Sequence, residues 1–397
     1  MKLADRALNI SPSPTLAIDA EAKNMTASGL KVISFGAGEP DFDTPDHIKE
    51  AAIAAIRAGK TKYTPVTGTL DLKEAICRKF ERDQGLEYKI EQIVVSAGAK
   101  HSLYNIMQVL VQDGDEVILP APFWVSYLEQ IKLAGAQARI VETSEQNGFK
   151  LTPELLKAAV NRRTRLLILN SPCNPTGAVY TREELEALGE VVLQYGISII
   201  SDEIYEKLVY DGLEHVSIAS LSPELKECTI IVNGVSKAYS MTGWRIGYAA
   251  APLQVAKAMA DLQSHSTSNP TSIAQEASVA ALNGEQAPTG RMVAEFARRR
   301  DYMLSRLLSI PGITCARPGG AFYLYPNVKH YFGKSFRGKK INSATDLTSV
   351  LLDEAQVAVV PGIAFGNDNY MRFSYACSME NIREGLRRFT ALLEEIK

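Results

Sequence analysis

The sequence of 397 residues has few of the features that mark secreted, metal-binding or membrane proteins. Its five cysteines are widely separated and form no C-x-x-C pair, which excludes a disulfide framework and a thiolate zinc site. The five histidines form no H-E-x-x-H motif, so we interpret each as a surface or packing residue. No apolar run approaches the roughly 18 residues that a membrane helix needs. These absences predict a cytoplasmic protein with no membrane partner.

An excess of charge of either sign is also missing. Lys and Arg total 43 and Asp and Glu total 45, for a formal charge of −2. This balance argues against a dedicated nucleic-acid binder, so we expect no nucleic-acid partner. The first 15 residues include Asp5 and Arg6 and have no continuous apolar segment, so we expect no signal peptide. At roughly 150 residues per domain, the length predicts two or three domains.

Short segments rich in Val and Ile alternate with helical segments along the first two thirds of the chain. Their spacing of roughly 20–30 residues is the βαβ rhythm of a largely parallel sheet. The predicted strands are Ile93–Ser96, Glu116–Leu119, Ala138–Val141, Arg165–Leu169, Ile197–Ser201, Thr229–Val232 and Arg245–Ala249. The sequence therefore predicts an α/β fold.

Two of the intervening helices carry clear start and stop signals. Pro45 suits the first helical position of a segment that Gly59 closes. Thr181 and Glu184 form a capping-box pattern, and Gly196 suits the residue that ends the same helix. We therefore expect both segments to be regular helices between predicted strands.

The pattern changes after about residue 285 and predicts a smaller α+β domain. Residues 291–308 read as one helix, in which we expect Arg298, Arg299 and Arg300 to form a solvated face because Glu295 and Asp301 flank them. Residues 331–345 are polar and predict an exposed connection. The strand-like segments of this part are Ala321–Tyr325, Val357–Val360 and Met371–Tyr375.

Polar and small residues follow several strands of the predicted sheet. Since ligands bind beyond the carboxyl ends of parallel strands, these segments predict a single site. Backbone N–H groups among small residues at a helix start also favour an anion there. The segments are Ser96–Lys100, Asn170–Gly177, Ser201–Tyr205, Asn233–Lys237 and Gly243–Gly247.

A lysine, an aspartate, an arginine and an anion cradle thus come together at one sheet edge. Each alone is an ordinary surface or capping residue. Lys237 is followed eight positions later by Arg245, and this combination is hard to explain if both are only exposed surface residues. Pyridoxal phosphate chemistry needs this combination. A lysine forms the Schiff base, an aspartate such as Asp202 pairs with the pyridinium nitrogen, and the cradle with an arginine holds the phosphate.

At these residues the sequence resembles the class I, fold type I aminotransferases of the aspartate aminotransferase family. These motifs resemble those of the bacterial and plastid subgroup, which includes aspartate and prephenate aminotransferases. The resemblance extends over almost the whole chain. Its motifs are Ser11–Thr15, Ala37–Phe42, Lys62-Tyr63, Gly98–Lys100, Pro122–Trp124, Asn174–Gly177, Ser201–Tyr205, Ser236-Lys237, Gly243–Gly247 and Met371–Ser374.

The resemblance implies the fold of the pyridoxal-phosphate-dependent transferases of type I. This fold has a mostly parallel seven-stranded sheet flanked by helices, with a smaller α+β domain beside it. We expect residues 1–44 to form an N-terminal arm and part of the small domain. Residues 45–288 would form the large cofactor-binding domain, and residues 289–397 a connecting helix and the small C-terminal domain.

The resemblance also implies roles around the ring of pyridoxal 5′-phosphate. Lys237 would hold the cofactor as an internal aldimine and later carry a proton from the substrate α-carbon to C4′. Asp202 would keep the ring nitrogen protonated, and Tyr205 and Asn174 would donate hydrogen bonds to O3′. Trp124 would stack on the face of the ring.

For the phosphate, the family pattern implies backbone amides and one arginine. Gly98, Ala99 and Lys100 would supply the amides, and Arg245 would supply the guanidinium. Ser236 would add a hydroxyl, since Gly234 replaces a serine that many relatives have. In this family the residue at Tyr63 reaches the phosphate of the neighbouring subunit, which implies a homodimer with shared sites.

For the substrate, the resemblance implies that Arg372 clamps the α-carboxylate, with Gly38, Asn174 and Trp124 completing that site. No arginine for a distal carboxylate is identifiable. In the subgroup that this chain resembles, a lysine of the Gly-Ala-Lys segment and hydroxyls of the arm take that task. The candidates are Lys100, Ser13 and Thr15.

These residues predict reversible transfer of the amino group from L-aspartate to 2-oxoglutarate, giving oxaloacetate and L-glutamate. The partners would be small amino acids and 2-oxo acids. Alternatives in the same family are a bifunctional aspartate/prephenate enzyme, an aromatic or kynurenine-type aminotransferase, a C–S lyase and a cyclopropane-forming synthase. A nucleotide-binding protein is a poorer fit, because residues 54–61 lack the first glycine of a P-loop. An inactive binding module would be expected to have lost Lys237.

Overall fold

The computed structural model describes residues 1–397, and it contains fourteen strands and fourteen α-helices. The strands are β1 Ile33–Ser34, β2 Ile93–Ser96, β3 Glu116–Ala121, β4 Gln137–Glu142, β5 Thr164–Asn170, β6 Ser198–Asp202, β7 Thr229–Gly234, β8 Gly247–Ala250, β9 Tyr323–Leu324, β10 Lys334–Phe336, β11 Lys339–Ile341, β12 Val357–Ala358, β13 Val360–Pro361 and β14 Met371–Ser374. The helices are α1 Asp5–Leu8, α2 Pro14–Ala27, α3 Asp46–Arg57, α4 Leu70–Gln84, α5 Ala99–Leu110, α6 Val125–Leu133, α7 Pro153–Ala159, α8 Arg182–Tyr195, α9 Pro223–Cys228, α10 Leu253–Ser264, α11 Ser272–Asn283, α12 Ala287–Leu308, α13 Ala344–Ala355 and α14 Met379–Glu394.

Seven strands form the central sheet in the order β2-β8-β7-β6-β5-β3-β4. All neighbouring pairs are parallel except those of β8, which runs antiparallel to both β2 and β7. The predicted seven-stranded, mostly parallel sheet is therefore confirmed. Every residue of β2, β7 and β8 is buried, as expected for strands that helices cover on both faces.

The seventh strand begins later than predicted. It starts at Gly247 and not at Arg245, because Arg245 has a positive φ of 57° and cannot continue an extended strand. A side chain at Gly247 would also collide with the backbone of Ala99, since its Cβ would lie 2.0 Å from that nitrogen. This glycine lets α5 begin directly against the sheet.

The helix signals of the sequence are borne out to within one residue. Thr181 caps α8, with its hydroxyl accepting from the Glu184 N–H while the Glu184 carboxylate accepts from the Thr181 N–H. Gly196 ends this helix in the left-handed conformation, at φ 64°. Helix α3 begins at Asp46, so Pro45 precedes the first helical residue by one position.

Helix α12 corrects the prediction that three consecutive arginines form a solvated face. It starts at Ala287, four residues earlier than predicted, and only Arg298 is exposed. Arg299 is buried against Asp41 and Glu295, and Arg300 is 0% exposed. Because successive helical residues point about 100° apart, three neighbours cannot share one face.

The C-terminal part is built around a three-stranded antiparallel sheet in the order β13-β14-β9. The predicted strand Val357–Val360 is two strands, β12 and β13, which belong to different sheets. Residues 331–345 are not a simple exposed connection, since β10 and β11 form an antiparallel hairpin there. Phe336 and Ile341 of this hairpin are buried in the core.

The hydrophobic cores lie on both sides of the central sheet and within the C-terminal part. Strand β1 pairs with β12, so the segment before α3 packs with the C-terminal part. None of the helices combines the length and the apolar character that crossing a membrane requires.

Candidate active site

A cavity of about 440 Å³ opens at the carboxyl ends of the parallel strands. The segment Gly36–Glu39, the start of α5 and residues after β5, β6 and β7 line it. All the sequence-predicted site residues line this cavity except Gly98 and Tyr63. The ones that do are Ser13, Thr15, Gly38, Ala99, Lys100, Trp124, Asn174, Asp202, Tyr205, Ser236, Lys237, Arg245 and Arg372.

Lys237 follows β7 and points its amine into the cavity. Its Nζ donates a hydrogen bond of 2.6 Å to the carbonyl oxygen of Gly38. Burial lowers the pKa of this amine to about 8, and the nearby cations Arg245 and Arg372 also act in that direction. A large fraction of the amine is therefore neutral and nucleophilic near pH 8.

Asp202 ends β6 and is buried at the floor of the cavity. Its carboxylate accepts a 2.6 Å hydrogen bond from the Tyr127 hydroxyl and a 3.2 Å bond from the Ile204 N–H. Burial raises the pKa of Asp202 to about 6 despite these hydrogen bonds. Such a carboxylate is held in one orientation and is stabilised further by any cation that reaches it.

Tyr205 lies three residues after Asp202 and pairs with a second tyrosine. Its hydroxyl and that of Tyr323 are 2.8 Å apart, and both side chains are buried. Burial raises the pKa of Tyr205 well above its usual value, and its proximity to Tyr323 adds to this shift. Both groups therefore remain protonated hydrogen-bond donors.

Arg372 reaches the cavity from β14 in the C-terminal part. One Nη donates to Asn174 Oδ1 at 3.0 Å, and the other donates to the Gly36 carbonyl oxygen at 2.7 Å. The guanidinium also lies 4.4 Å from the ring centroid of Tyr323. Its Nε is buried and has no partner. A buried guanidinium with a free donor is suited to bind a carboxylate.

The start of α5 and Arg245 lie together at one end of the cavity, where backbone N–H groups and a guanidinium could bind an anion. Gly98 has φ +91°, and a Cβ there would lie 2.3 Å from Arg245 Nη2. The arginine is fixed by hydrogen bonds to the carbonyl oxygens of Thr242 and Ala97, at 3.0 and 3.3 Å. Ser236 is buried nearby in the lining. Gly98 thus lies behind this corner and makes room for the guanidinium.

Lys100 and Trp124 close one side of the cavity. The Lys100 ammonium lies 4.9 Å from the ring centroid of Trp124. Burial lowers the pKa of Lys100, and the like charge of Arg245 lowers it further. Trp124 in turn packs edge-on against Tyr127, with their centroids 5.3 Å apart.

The N-terminal arm contributes hydroxyls at the mouth of the cavity. Ser13 precedes α2 and Thr15 lies in its first turn, with their hydroxyl oxygens 2.9 Å apart. Tyr63 is separate from this group. Its side chain is 92% exposed, and it does not contact the cavity of its own chain.

The lining residues that were missing from the predicted site include Tyr127, Tyr323 and Glu39. Tyr127 lies three positions after Trp124, which places it one helical turn further along α6. That spacing was the available signal. Glu39 accepts a 2.8 Å hydrogen bond from Thr242, and its charge counteracts the lowering of the Lys237 pKa. Tyr323 lies in the predicted strand-like segment Ala321–Tyr325, of which only β9 forms, but nothing in that pattern marked it as a site residue.

The arrangement defines a class of protein. A lysine with a lowered pKa, a buried aspartate and an arginine with an unpaired donor share one cavity at a parallel sheet edge. The family model for aminotransferase class I and II matches residues 31–389. The chain therefore belongs to the class I and II aminotransferase family, and it is a transaminase enzyme. This assignment decides against a nucleotide-binding protein, and Lys237, which an inactive module would be expected to have lost, lies in the cavity.

Particular relatives are similar over the full length of the chain. The aspartate aminotransferase of Geobacillus stearothermophilus is 54% identical over 394 residues, which cover 99% of both chains. The aspartate/prephenate aminotransferase of Nitrosomonas europaea is 46% identical over 396 residues, 99% of this chain and 100% of that one. The crystal structure of the Rhizobium meliloti aspartate aminotransferase superposes with a TM-score of 0.97, at 45% identity and full coverage of both chains.

Proposed function

We propose that the chain is a pyridoxal 5′-phosphate-dependent aspartate aminotransferase. It would transfer the amino group of L-aspartate reversibly to 2-oxoglutarate, giving oxaloacetate and L-glutamate. The observation that carries the proposal is the arrangement of Lys237, Asp202 and Arg372 around one cavity. The names of the full-length relatives at 54% and 46% identity support the choice of donor.

Features of the cavity fit this cofactor. The N-terminus of α5, with the Arg245 guanidinium packed against Gly98 beside it, suits a phosphate. The lowered pKa of Lys237 suits an amine that must attack an aldehyde. The buried carboxylate of Asp202 suits a partner for a protonated ring nitrogen. When bound, the cofactor supplies an electron sink for the charge that develops when a proton leaves the substrate α-carbon.

The residues of the chain divide the remaining tasks. Lys237 moves the proton between the α-carbon and C4′ of the cofactor as a general base and acid. Tyr205 and Asn174 donate hydrogen bonds to O3′, and Trp124 covers the ring face. Arg245, the Ser236 hydroxyl and the backbone amides of Ala99 and Lys100 would hold the phosphate, whereas the Gly98 N–H already donates to the Ser96 carbonyl oxygen at 2.7 Å.

Arg372 binds the α-carboxylate of the substrate in this proposal. Asn174 and Gly36 already fix the two Nη groups, while the buried Nε has no partner until a carboxylate arrives. Gly38 lies beside this group, and its carbonyl oxygen holds the amine of Lys237. An unpaired buried donor costs about 1–3 kcal/mol, so substrate binding relieves that cost.

Lys100, Ser13 and Thr15 are proposed to bind the distal carboxylate of a dicarboxylic substrate. All three line the cavity, and Lys100 is held beside Trp124. This set also supports a second candidate function, a bifunctional aspartate/prephenate aminotransferase. Prephenate has two carboxylates, and the Nitrosomonas relative carries that name.

The assembly and its location are further parts of the proposal. We propose a homodimer in which Tyr63, exposed on its own chain, binds the phosphate of the neighbouring subunit. Within each chain we divide the fold into the arm with part of the small domain (1–44), the cofactor-binding domain (45–288) and the small C-terminal domain (289–397). The working environment would be the cytoplasm.

A panel of amino donors tests the function directly. We expect aspartate, with 2-oxoglutarate as acceptor, to give the highest kcat/KM, and phenylalanine to be a poorer donor. Lys100→Ala should raise the KM for aspartate at least tenfold more than the KM for phenylalanine, because one charged contact is lost. The exposed Lys329→Ala is the matched control and should change neither KM.

Two results would contradict the proposal. Transamination of phenylalanine but not of aspartate would favour the aromatic alternative. An equal effect of Lys100→Ala on both donors would reject Lys100 as the distal-carboxylate group. Prephenate, tested as acceptor with either aspartate or glutamate as donor, decides between the two candidate functions.

A further inference from the structure

A buried polar cluster lies just outside the cavity, behind the turn that carries Asp202 and Tyr205. Asp202, Ile204 and Tyr205 of this turn line the cavity, whereas Glu203 and Glu206 do not. Both glutamates are nonetheless buried. A buried carboxylate requires partners, and these two have an unusually complete set.

Glu203 accepts four hydrogen bonds. Its Oε1 accepts from the hydroxyls of Ser201 and Ser217, at 2.8 and 2.6 Å. Its Oε2 accepts from Gln84 at 2.8 Å and lies 3.0 Å from His215 Nε2. Although burial alone would raise it, the pKa of Glu203 lies below its usual value because of these contacts. The group is therefore a fully satisfied anion.

Glu206 is held by the last turns of α4. Its Oε2 pairs with the buried ammonium of Lys79 and accepts from Gln84 at 2.9 Å. One amide group, Gln84 Nε2, thus bridges the two glutamates. One residue further on, Lys207 pairs with Asp83 of the same helix at 2.8 Å. Helix α4 therefore contacts the segment 203–207 through three side chains, those of Lys79, Asp83 and Gln84.

Glu203, Glu206 and His215 place their ligand atoms within 4.8 Å of one another. The glutamate oxygens already face the Lys79 ammonium and the Gln84 amide, which supply the positive charge and the donors. These donors already occupy the Oε2 atoms of both glutamates. We name Glu203, Glu206, Lys79, Gln84 and His215 the carboxylate clamp.

We propose that the carboxylate clamp is a positioning device that fixes Asp202 and Tyr205 for the ring of the cofactor. This inference rests on the proposed function. The coupling is through the backbone: the Glu203 N–H donates to the Val232 carbonyl oxygen of β7 at 2.9 Å. The Glu206 N–H donates to the Glu203 carbonyl oxygen at the same distance. Every residue of the clamp lies outside the cavity lining.

The test is the dissociation constant of pyridoxal phosphate, titrated into the apoprotein and read from the cofactor absorbance. Glu203→Gln keeps the shape of the side chain but turns one acceptor into a donor that faces other donors. We expect this change to raise the dissociation constant roughly tenfold, a typical coupling between neighbouring sites. Gln84→Leu removes the bridge without touching the turn and should act in the same direction.

Glu116→Gln is the matched control. Glu116 is also a buried carboxylate of the central sheet, but it lies at the amino end of β3, at the end of the sheet away from the cavity. There it pairs with Asn161 and Arg163. This variant should lower the melting temperature and leave the cofactor dissociation constant unchanged. If Glu116→Gln and Glu203→Gln raised the cofactor dissociation constant equally, a general loss of stability would explain the effect and the positioning role would be rejected.

A double-mutant cycle with Asp202→Asn separates positioning from stability. If the clamp acts through Asp202, Glu203→Gln should raise the cofactor dissociation constant much less in the Asp202→Asn background than in the wild type. The loss in melting temperature should be the same in both backgrounds. A tenfold loss in both backgrounds, or none in the wild-type background, would overturn the inference. A wild-type protein that bound no pyridoxal phosphate would instead refute the proposed function.

Discussion

Individual residues of the cavity depend on small differences in available space. Gly98 and Gly114 have nearly the same backbone φ, +91° and +89°. A Cβ at Gly98 would collide with Arg245, whereas a Cβ at Gly114 would have no neighbour within 4 Å. Substituting each glycine therefore separates the cost of a positive φ, which both share, from the displacement of Arg245, which only Gly98 would cause.

Gly98→Ala should cost about 1 kcal/mol or more of stability and also weaken pyridoxal phosphate binding, because the Arg245 guanidinium is displaced. Gly114→Ala should cost about 1 kcal/mol from the same strain and leave the cofactor affinity unchanged. Urea unfolding and cofactor titration measure the two effects. Equal cofactor affinity in both variants would mean that the guanidinium need not lie over Gly98.

The lowered pKa of Lys237 makes a second prediction at this scale. In the apoprotein, the rate at which pyridoxal phosphate is captured should rise with pH through about 8, and not through the ordinary lysine value of 10.5. Stopped-flow absorbance across this range measures the midpoint. A midpoint near 10.5 would show that burial does not favour the neutral amine.

The same shift has a consequence for folding. Between pH 8 and 10.5 the folded state binds fewer protons at Lys237 than the unfolded state does. The contribution of this residue to the free energy of unfolding therefore increases with pH across that window. Below it, the apoprotein carries the cost of a buried amine that must be protonated.

At the scale of elements, α12 joins the parts of the chain through two buried arginines. Arg300 donates to Asp211 at 2.8 and 2.9 Å and to the Pro318 carbonyl oxygen at 3.0 Å. Arg299 donates to Asp41 at 2.7 Å, and Asp41 follows the segment that carries Gly36 and Gly38. The helix thus connects loops that are far apart in sequence.

Arg300→Ala should destabilise the protein by about 3 kcal/mol, because it leaves a cavity and an unpaired carbonyl oxygen inside the fold. Arg298→Ala, two positions away and exposed, should change stability by less than about 0.5 kcal/mol. Urea denaturation of both variants gives the comparison. Similar values would mean that the buried arginine is replaced by solvent without cost.

The strands of the central sheet could be predicted from the sequence, but the burial of the two arginines could not. The strands of the central sheet are predictable to within about two residues, because fully buried parallel strands leave unbroken Val and Ile runs. The burial of Arg299 and Arg300 is not predictable from their neighbours. Their partners Asp41 and Asp211 are 258 and 89 residues away in the chain. Only the tertiary fold brings these charges together.

The same limit applies to the site. Asp202 and Lys237 lie at or just after the carboxyl ends of recognisable strands, and Arg245 comes eight residues after Lys237, so their convergence can be predicted. Tyr323 cannot be found in this way, because its strand pattern does not show that β9 of the C-terminal part packs beside this sheet edge. The role of Glu203 is also hidden, since a carboxylate beside a catalytic candidate reads as solvent-exposed until its burial is known.

At the scale of the whole molecule, the site depends on contact between distant parts of the chain. Arg372 of the C-terminal part donates to Asn174 after β5 and to Gly36, which is 336 residues away in sequence. Lys237 holds the neighbouring Gly38 carbonyl oxygen. Movement of the C-terminal part would therefore shift the carboxylate-binding groups relative to the amine, which gives substrate binding a means to close the cavity.

If the enzyme is the proposed homodimer, each complete site also includes Tyr63 of a second chain. The mass in solution should then be about twice the 43.4 kDa of the single chain. Sedimentation velocity measures this mass, and a monomer that retains full activity would exclude the shared site.

The central claim is that Lys237 holds pyridoxal phosphate in this cavity. The most direct test is borohydride reduction of the protein after incubation with the cofactor, followed by digestion and mass spectrometry. The account predicts a stable pyridoxyl adduct on the peptide that contains Lys237, and no such adduct in Lys237→Ala. An adduct on other lysines alone, or transaminase activity that survives in Lys237→Ala, would contradict it.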